Sequence, residues 1–269
     1  MMLISDYPYY NTVKVGSLYL KPESVNETIT HCCRMVLRES GDLTLPLWRS
    51  GSATLVRYAG INYVIMTRHQ LLIQKGMEPP EDIVTTIRVS SGLDQLKNIP
   101  IQKCLYETSN PEEEYHDILI FEVASTWKNQ EIDAPYFFPL GPFKKTKRIT
   151  SLVVGYPSIG DVMEDYHDNF YSKGESKENA EKGKIHLKRM IGDCVMDERF
   201  KSNAEYFRRY IQNKSRPHMD GFSGGAIFSL IGEISNMEIV LDGIILRANE
   251  QYVHIVDVDY LMKAVTRQR

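Results

Sequence analysis

Ser223 stands among glycines in the run Asp220-Gly221-Phe222-Ser223-Gly224-Gly225. A serine hydroxyl is a weak nucleophile until a positioned base takes its proton. It also needs donors aimed at the oxyanion that forms, and flanking glycines let backbone N–H groups converge on one point. Such a serine needs a base within reach. His69 closes the run Tyr63-Val64-Ile65-Met66-Thr67-Arg68-His69, and Asp117 opens Asp117-Ile118-Leu119-Ile120-Phe121. Taken singly, His69 suits a polar strand end and Asp117 suits a turn cap. Taken as an ordered set with Ser223, they suit catalysis better.

The elements that must hold these residues are short strands. Ser52 to Tyr58 reads as a strand, Ala59-Gly60-Ile61-Asn62 as a turn, and Tyr63 to Thr67 as the hairpin partner. Further strands are expected at Ile83 to Val89, Ile118 to Val123, Ile149 to Tyr156, Ala226 to Leu230, Met237 to Leu246 and Tyr252 to Val256. Helices are expected at Thr28 to Leu37 and at Ser202 to Asn213, the latter from a serine or asparagine N-cap. After Asp257, Val258, Leu261, Met262 and Val265 recur at helical spacing and predict a closing amphipathic helix. The implied organisation is an extension over 1–45, a first barrel over 46–127, a connector over 128–148, a second barrel over 149–256 and a helix over 257–269. A polar, mixed-charge insertion over 158–184 reads as a surface loop.

Two catalytic templates contain a serine in this setting. The nucleophile elbow of α/β-hydrolases needs a buried strand before the serine and the aspartate and histidine after it. Here Asn213-Lys214-Ser215-Arg216-Pro217-His218 precedes it, and too little chain follows Ser223 to complete that fold. The order His69, Asp117, Ser223 instead resembles the trypsin/chymotrypsin-like serine proteases, in the style of bacterial intracellular members. Leu241-Asp242-Gly243-Ile244-Ile245 resembles the strand lining that family's specificity pocket, and Val153-Val154-Gly155-Tyr156-Pro157 an early strand of its second barrel. The resemblance covers about residues 48 to 265. It implies an all-β fold of two tandem six-stranded antiparallel barrels with a C-terminal helix. It also implies a serine endopeptidase in which Ser223 is nucleophile, His69 the base and then the acid, and Asp117 the orienting carboxylate. Backbone N–H groups of Gly221 and Ser223 would form the oxyanion hole. Asp242, inside a strand pattern, is the weaker carboxylate, and His254 fits no slot.

The chain departs from that family at several positions. Phe222 stands where many secreted members carry an aspartate that pairs with a newly cut N-terminus, so activation by that ion pair is excluded. No cysteine follows His69, and Leu246 stands where a serine usually supports the triad aspartate. Pocket residues by offset are Pro217, His218, Ile245 and Arg247. Pro217 replaces the acidic residue that selects Lys or Arg. Cationic His218 and Arg247 would favour an acidic residue at the cleaved position. A small apolar pocket with His218 turned to solvent fits equally well.

Composition limits the alternatives. Lys plus Arg number 32 against 35 Asp plus Glu, a formal charge of -3, which gives no electrostatic basis for nucleic-acid binding. Hydrophobic residues at 42% suffice for a sizeable core. The stretch Ala226 to Leu246 is interrupted by Glu233, Asn236, Glu238 and Asp242, so no membrane span is expected. Nor does the start resemble a secretory leader. Cys32, Cys33, Cys104 and Cys194 form no paired motif, which suits free thiols in the cytoplasm and no metal site. No cofactor is expected. The partners expected are a protein or peptide substrate and a regulatory protein. The alternative reading is a catalytically inactive protease-like binding module.

Overall fold

The computed structural model describes residues 12–39, 47–71, 87–89, 98–106, 117–125, 136–156, 190–213, 219–233 and 236–267. Its elements are β1 (Val13–Val15), β2 (Leu18–Leu20), α1 (Pro22–Thr30), β3 (Cys33–Glu39), β4 (Leu47–Tyr58) and β5 (Ile61–Thr67). A 3-10 turn (Arg68–Leu71), β6 (Ile87–Val89), β7 (Ile101–Tyr106), β8 (Ile118–Val123) and β9 (Phe138–Pro139) follow. The second half holds β10 (Arg148–Gly155), β11 (Met190–Met196), β12 (Phe207–Gln212), β13 (Ala226–Glu233), β14 (Asn236–Ala248), β15 (Tyr252–Asp257) and α2 (Val258–Arg267).

The architecture is an all-β double barrel with a C-terminal helix. In the second half the order β13-β10-β11-β12-β15-β14 returns on itself through a β13–β14 pairing, which closes a six-stranded antiparallel barrel. The first half is a six-stranded half-barrel in the order β6-β3-β4-β5-β8-β7. Its ends approach where the Ile99 N–H donates to Val89 O at 2.8 Å. β1 adds in parallel to β14, so the chain ahead of the first barrel is stitched onto the second.

Alternation of side chains builds three cores. Leu55, Val64, Met66, Leu119 and Phe121 point into the first barrel. Val153, Tyr210, Ile227, Val253 and Ile255 point into the second. Residues of opposite parity, among them Val56, Ile65, Ile120, Leu152, Val154 and Ile244, meet between the barrels, with Val25 of α1 and Leu261 of α2 packed on them. The β4–β5 hairpin turns at Ala59 (φ 46) and Gly60 (φ 84), the double positive φ of a tight two-residue turn.

The structure corrects three expectations. The helix expected at 28–37 lies earlier: Pro22 starts α1 in the first turn, where a missing N–H costs nothing, and the helix ends at Thr30. Cys33, Met35 and Leu37 then alternate as strand β3 of the first barrel, inside the segment read as an extension. Residues 202–213 hold β12, not a helix. The Ser202 hydroxyl does accept the Ala204 N–H (3.0 Å), but it caps a turn, and Phe207 and Tyr210 face buried cores. The insertion at 158–184 lies outside the described residues.

Inside the second barrel sits a polar cluster. Asp242 is fully buried and accepts hydrogen bonds from Arg148 Nη2 (2.8 Å), Tyr210 Oη (2.6 Å) and Ser229 Oγ. Both its oxygens are therefore engaged within the barrel. No described helix is long and apolar enough to cross a membrane.

Candidate active site

The histidine and aspartate come together because their strands do. Thr67, the last residue of β5, pairs with Ile118, the first of β8, so the residues beyond each strand share one end of the first barrel. There the chain tightens into the 3-10 turn, and Arg68 N–H donates to Asp117 O at 2.7 Å. Asp117 grips His69 twice: Oδ1 accepts the His69 backbone N–H at 2.8 Å, and Oδ2 lies 2.6 Å from Nδ1. That second contact assigns the ring proton to Nδ1 and leaves Nε2 as the acceptor a general base requires. The His69 side chain is 46% exposed and that of Asp117 21%, so the imidazole faces solvent while its carboxylate is sheltered.

Ser223 lies on the tight segment that feeds β13. Phe222 N–H donates to Met219 O (3.2 Å) and Gly225 N–H to Phe222 O (2.8 Å). Gly221 (φ 87) and Gly224 (φ 79) take left-handed conformations that side chains resist. Phe222 is fully buried against Met219, Ile227 and Ile245, and a Cβ at Gly155 would come within 2.7 Å of its ring. This aromatic anchor fixes the segment from below. The far end of β14 fixes its side: Gly224 N–H donates to Ile245 O and Ile245 N–H to Gly225 O, both at 2.8 Å.

The first barrel also reaches across. Ser52 Oγ donates to Gly221 O (2.7 Å), Ser52 N–H to Ser223 O (3.1 Å), Thr54 Oγ1 to Gly224 O (2.8 Å), and Gln70 Nε2 to Ser223 O. Ser52 Oγ in turn accepts the Tyr156 N–H at 2.8 Å. These three side chains were not singled out from sequence. Their residue types alone carried no signal, since each acts on a backbone carbonyl of the other half.

With the carbonyls so occupied, the Gly221 and Ser223 N–H groups make no hydrogen bond among the described residues, which leaves them available to an oxyanion. The Ser223 hydroxyl donates to Leu246 O at 3.2 Å, and no hydrogen bond joins it to His69. Of the expected pocket residues, Ile245 is fully buried beneath the serine segment. Arg247 is exposed and holds its guanidinium 5.3 Å from the Phe207 ring centroid. Pro217 and His218 lie outside the described residues. Across the strand from Arg247, His254 stacks on Phe207 at 5.3 Å. Burial, with Arg247 and Arg209 nearby, pushes its pKa down to about 4, so it is neutral and structural. No protein-family model and no curated protein matches this chain.

Proposed function

We propose that the protein is a serine endopeptidase working through His69, Asp117 and Ser223. The observation that supports this best is the double grip of Asp117 on His69, at 2.6 and 2.8 Å, beside a serine segment with two open N–H groups. His69 Nε2 takes the proton of Ser223 Oγ as that oxygen attacks the scissile carbonyl carbon. The negative carbonyl oxygen is met by the Gly221 and Ser223 N–H groups. His69 returns the proton to the departing amine, which leaves an ester on Ser223. Water, deprotonated by His69, then attacks that ester, and His69 passes the proton to Ser223 Oγ as the acyl C–O bond breaks and the acid leaves. Asp117 orients the His69 ring and stabilises the imidazolium that forms.

The substrate in this reading is a protein or peptide. A preference for acidic side chains is assigned to Arg247 and His218. Four cysteines outside any disulfide, three of them buried, suit the reducing cytoplasm, and narrow specificity or a regulatory protein would restrain the enzyme there. The second reading, an inactive protease-like binding module, draws on one observation: the Ser223 hydroxyl is engaged by Leu246 O and not by His69.

A fluorophosphonate probe separates the two. Covalent labelling of the wild type that disappears in Ser223→Ala is the expected result. A wild type that stays unlabelled would leave the binding module.

A further inference from the structure

We infer that Gln70 is a positioning residue that holds the nucleophile in register with its base; this rests on the serine-peptidase reading. Gln70 follows His69 directly and is buried, at 7% exposure, between the two barrels. Its Nε2 donates to two carbonyls on opposite sides of the seam: Ser52 O on β4 at 3.0 Å, and Ser223 O. Its Oε1 accepts the Thr67 N–H at 3.4 Å, and its own carbonyl accepts Ser50 Oγ. Every polar group of the side chain is thus engaged, in a setting where a lost partner is expensive.

The slot that receives this amide is built from both halves. Gly51 (φ 140) on β4 and Gly224 (φ 79) beside the nucleophile wall it, and a Cβ at Gly51 would collide with Nε2 itself. A Cβ at Gly224 would come within 3.1 Å of the same nitrogen. The consequence concerns one peptide plane. Ser223 O is held by Gln70 and Ser52, while Gly224 N–H on the same plane is held by Ile245 O at 2.8 Å. With that plane pinned, the Ser223 backbone is held on its C-terminal side, and the freedom left to its Oγ, which donates to Leu246 O, is rotation of the side chain. Because Gln70 is also the neighbour of His69, one side chain ties base and nucleophile to a common frame. The contact is to backbone, so it orients the serine without touching the reacting atoms.

Loss of this contact should slow the chemical step and spare substrate binding. A misplacement near 1 Å costs on the order of a hundredfold in rate. Gln70→Leu, which keeps the bulk and loses the donor, is expected to lower kcat by about 10- to 100-fold with KM within about twofold. It should slow fluorophosphonate labelling of Ser223 in parallel. Both are measured on the full chain well below the melting temperature of each variant, so a general loss of fold would show as a falling melt and a rising KM. If Gln70→Leu fails to fold, Gln70→Glu decides the matter. It matches the size but sets an acceptor against the Ser52 and Ser223 carbonyls, and its kcat should fall at least as far. A wild type that labels, with either folded variant labelling at the same rate, overturns the inference and leaves the peptidase reading standing. A kcat and KM that worsen equally also overturn it. A wild type that does not label removes both.

Discussion

Asp257 and His254 pull the pH dependence of stability in opposite directions, and separating them tests the description of the second barrel. The Asp257 side chain is fully buried at the start of α2, where its Oδ1 accepts the Asp259 N–H (3.2 Å) and the Tyr260 N–H (3.4 Å). Arg208 Nη2 lies 2.8 Å from its Oδ2, yet no hydrogen bond to that oxygen forms. Burial pushes the carboxyl from 3.8 up to about 7, against the pull of Arg208 and with a push from Asp259. Between those values the native state keeps a proton that the unfolded chain has released, so stability falls as pH rises. At about 1.4 kcal/mol per pH unit the ceiling is ~4 kcal/mol. His254 works the other way. Its native pKa of about 4, against 6.5 unfolded, means that stability rises with pH across that interval. Its ceiling is ~3 kcal/mol, and solvent reaching the half-buried ring cuts that to roughly half.

Denaturant unfolding from pH 4.5 to 8 should therefore show a gentle fall for the wild type, about 1 kcal/mol up to pH 6.5. Asp257→Asn keeps the Oδ1 cap and removes the titration, so its stability should rise by about 1–2 kcal/mol over the same interval. His254→Phe keeps the stack on Phe207 and should leave a steeper fall of ~3 kcal/mol. Asp197, hydrogen-bonded by Arg209, is held below the ordinary carboxylate range and acts at more acid pH. An Asp257→Asn profile parallel to the wild type would refute the assignment of a protonated, buried Asp257.

Four further outcomes follow from the geometry. Asp117→Asn should keep the fold while lowering kcat by about 10³- to 10⁴-fold, because the ring proton of His69 is no longer directed to Nδ1; unaltered kinetics would remove Asp117 from the site. Extra residues placed ahead of Met1 should leave labelling of Ser223 unchanged, since Phe222 makes no ion pair, whereas Phe222→Ala should cost about 3–5 kcal/mol in unfolding experiments; labelling that requires trimming of such a tag would contradict this. Ala59→Asn should stabilise the β4–β5 hairpin by about 0.5–1 kcal/mol, because Asn tolerates the left-handed φ of 46 better, and a lower melting temperature would count against a strained turn. Arg247→Gln should reduce the preference for Glu over the isosteric Gln by only about threefold, since an exposed cation is worth little, and a wild-type ratio near one would dismiss Arg247 as a specificity residue.

The parts of the candidate site legible in the sequence were those where a chemical residue sits at the end of an apolar run. His69 after β5 and Asp117 before β8 were picked out by the His-Asp-Ser order of the resemblance together with the apolar runs beside them, and the pairing of Thr67 with Ile118 makes the two ends one place. Ser223 was legible through its glycines. β3 was not, because Thr28 to Thr30 and Cys33 to Leu37 form one unbroken stretch in which a helix gives way to a strand within three residues. β12 was masked by a cap signal at Ser202 that served a turn. Ser52, Thr54 and Gln70 were invisible for another reason: they act on backbone carbonyls more than 150 residues away, and a carbonyl has no residue type.

That last group addresses how a candidate site divided between two barrels keeps its geometry. The apolar layer between the barrels, with Val56, Ile65, Leu152 and Val154 at its centre, supplies most of the adhesion. Such packing is non-directional, so small sliding motions of one barrel on the other would cost little, yet would move Ser223 relative to His69, and the proposed chemistry depends on that spacing. Hydrogen bonds are directional, and those from Ser52, Thr54 and Gln70 to Gly221, Ser223 and Gly224 lie within the seam, around Ser223 and next in sequence to His69. Each contributes only about 1 kcal/mol net to stability, but breaking one by a slide would strand a buried carbonyl or hydroxyl at a cost of about 1–3 kcal/mol. The apolar layer therefore holds the barrels together, and this short polar row fixes the register in which they meet.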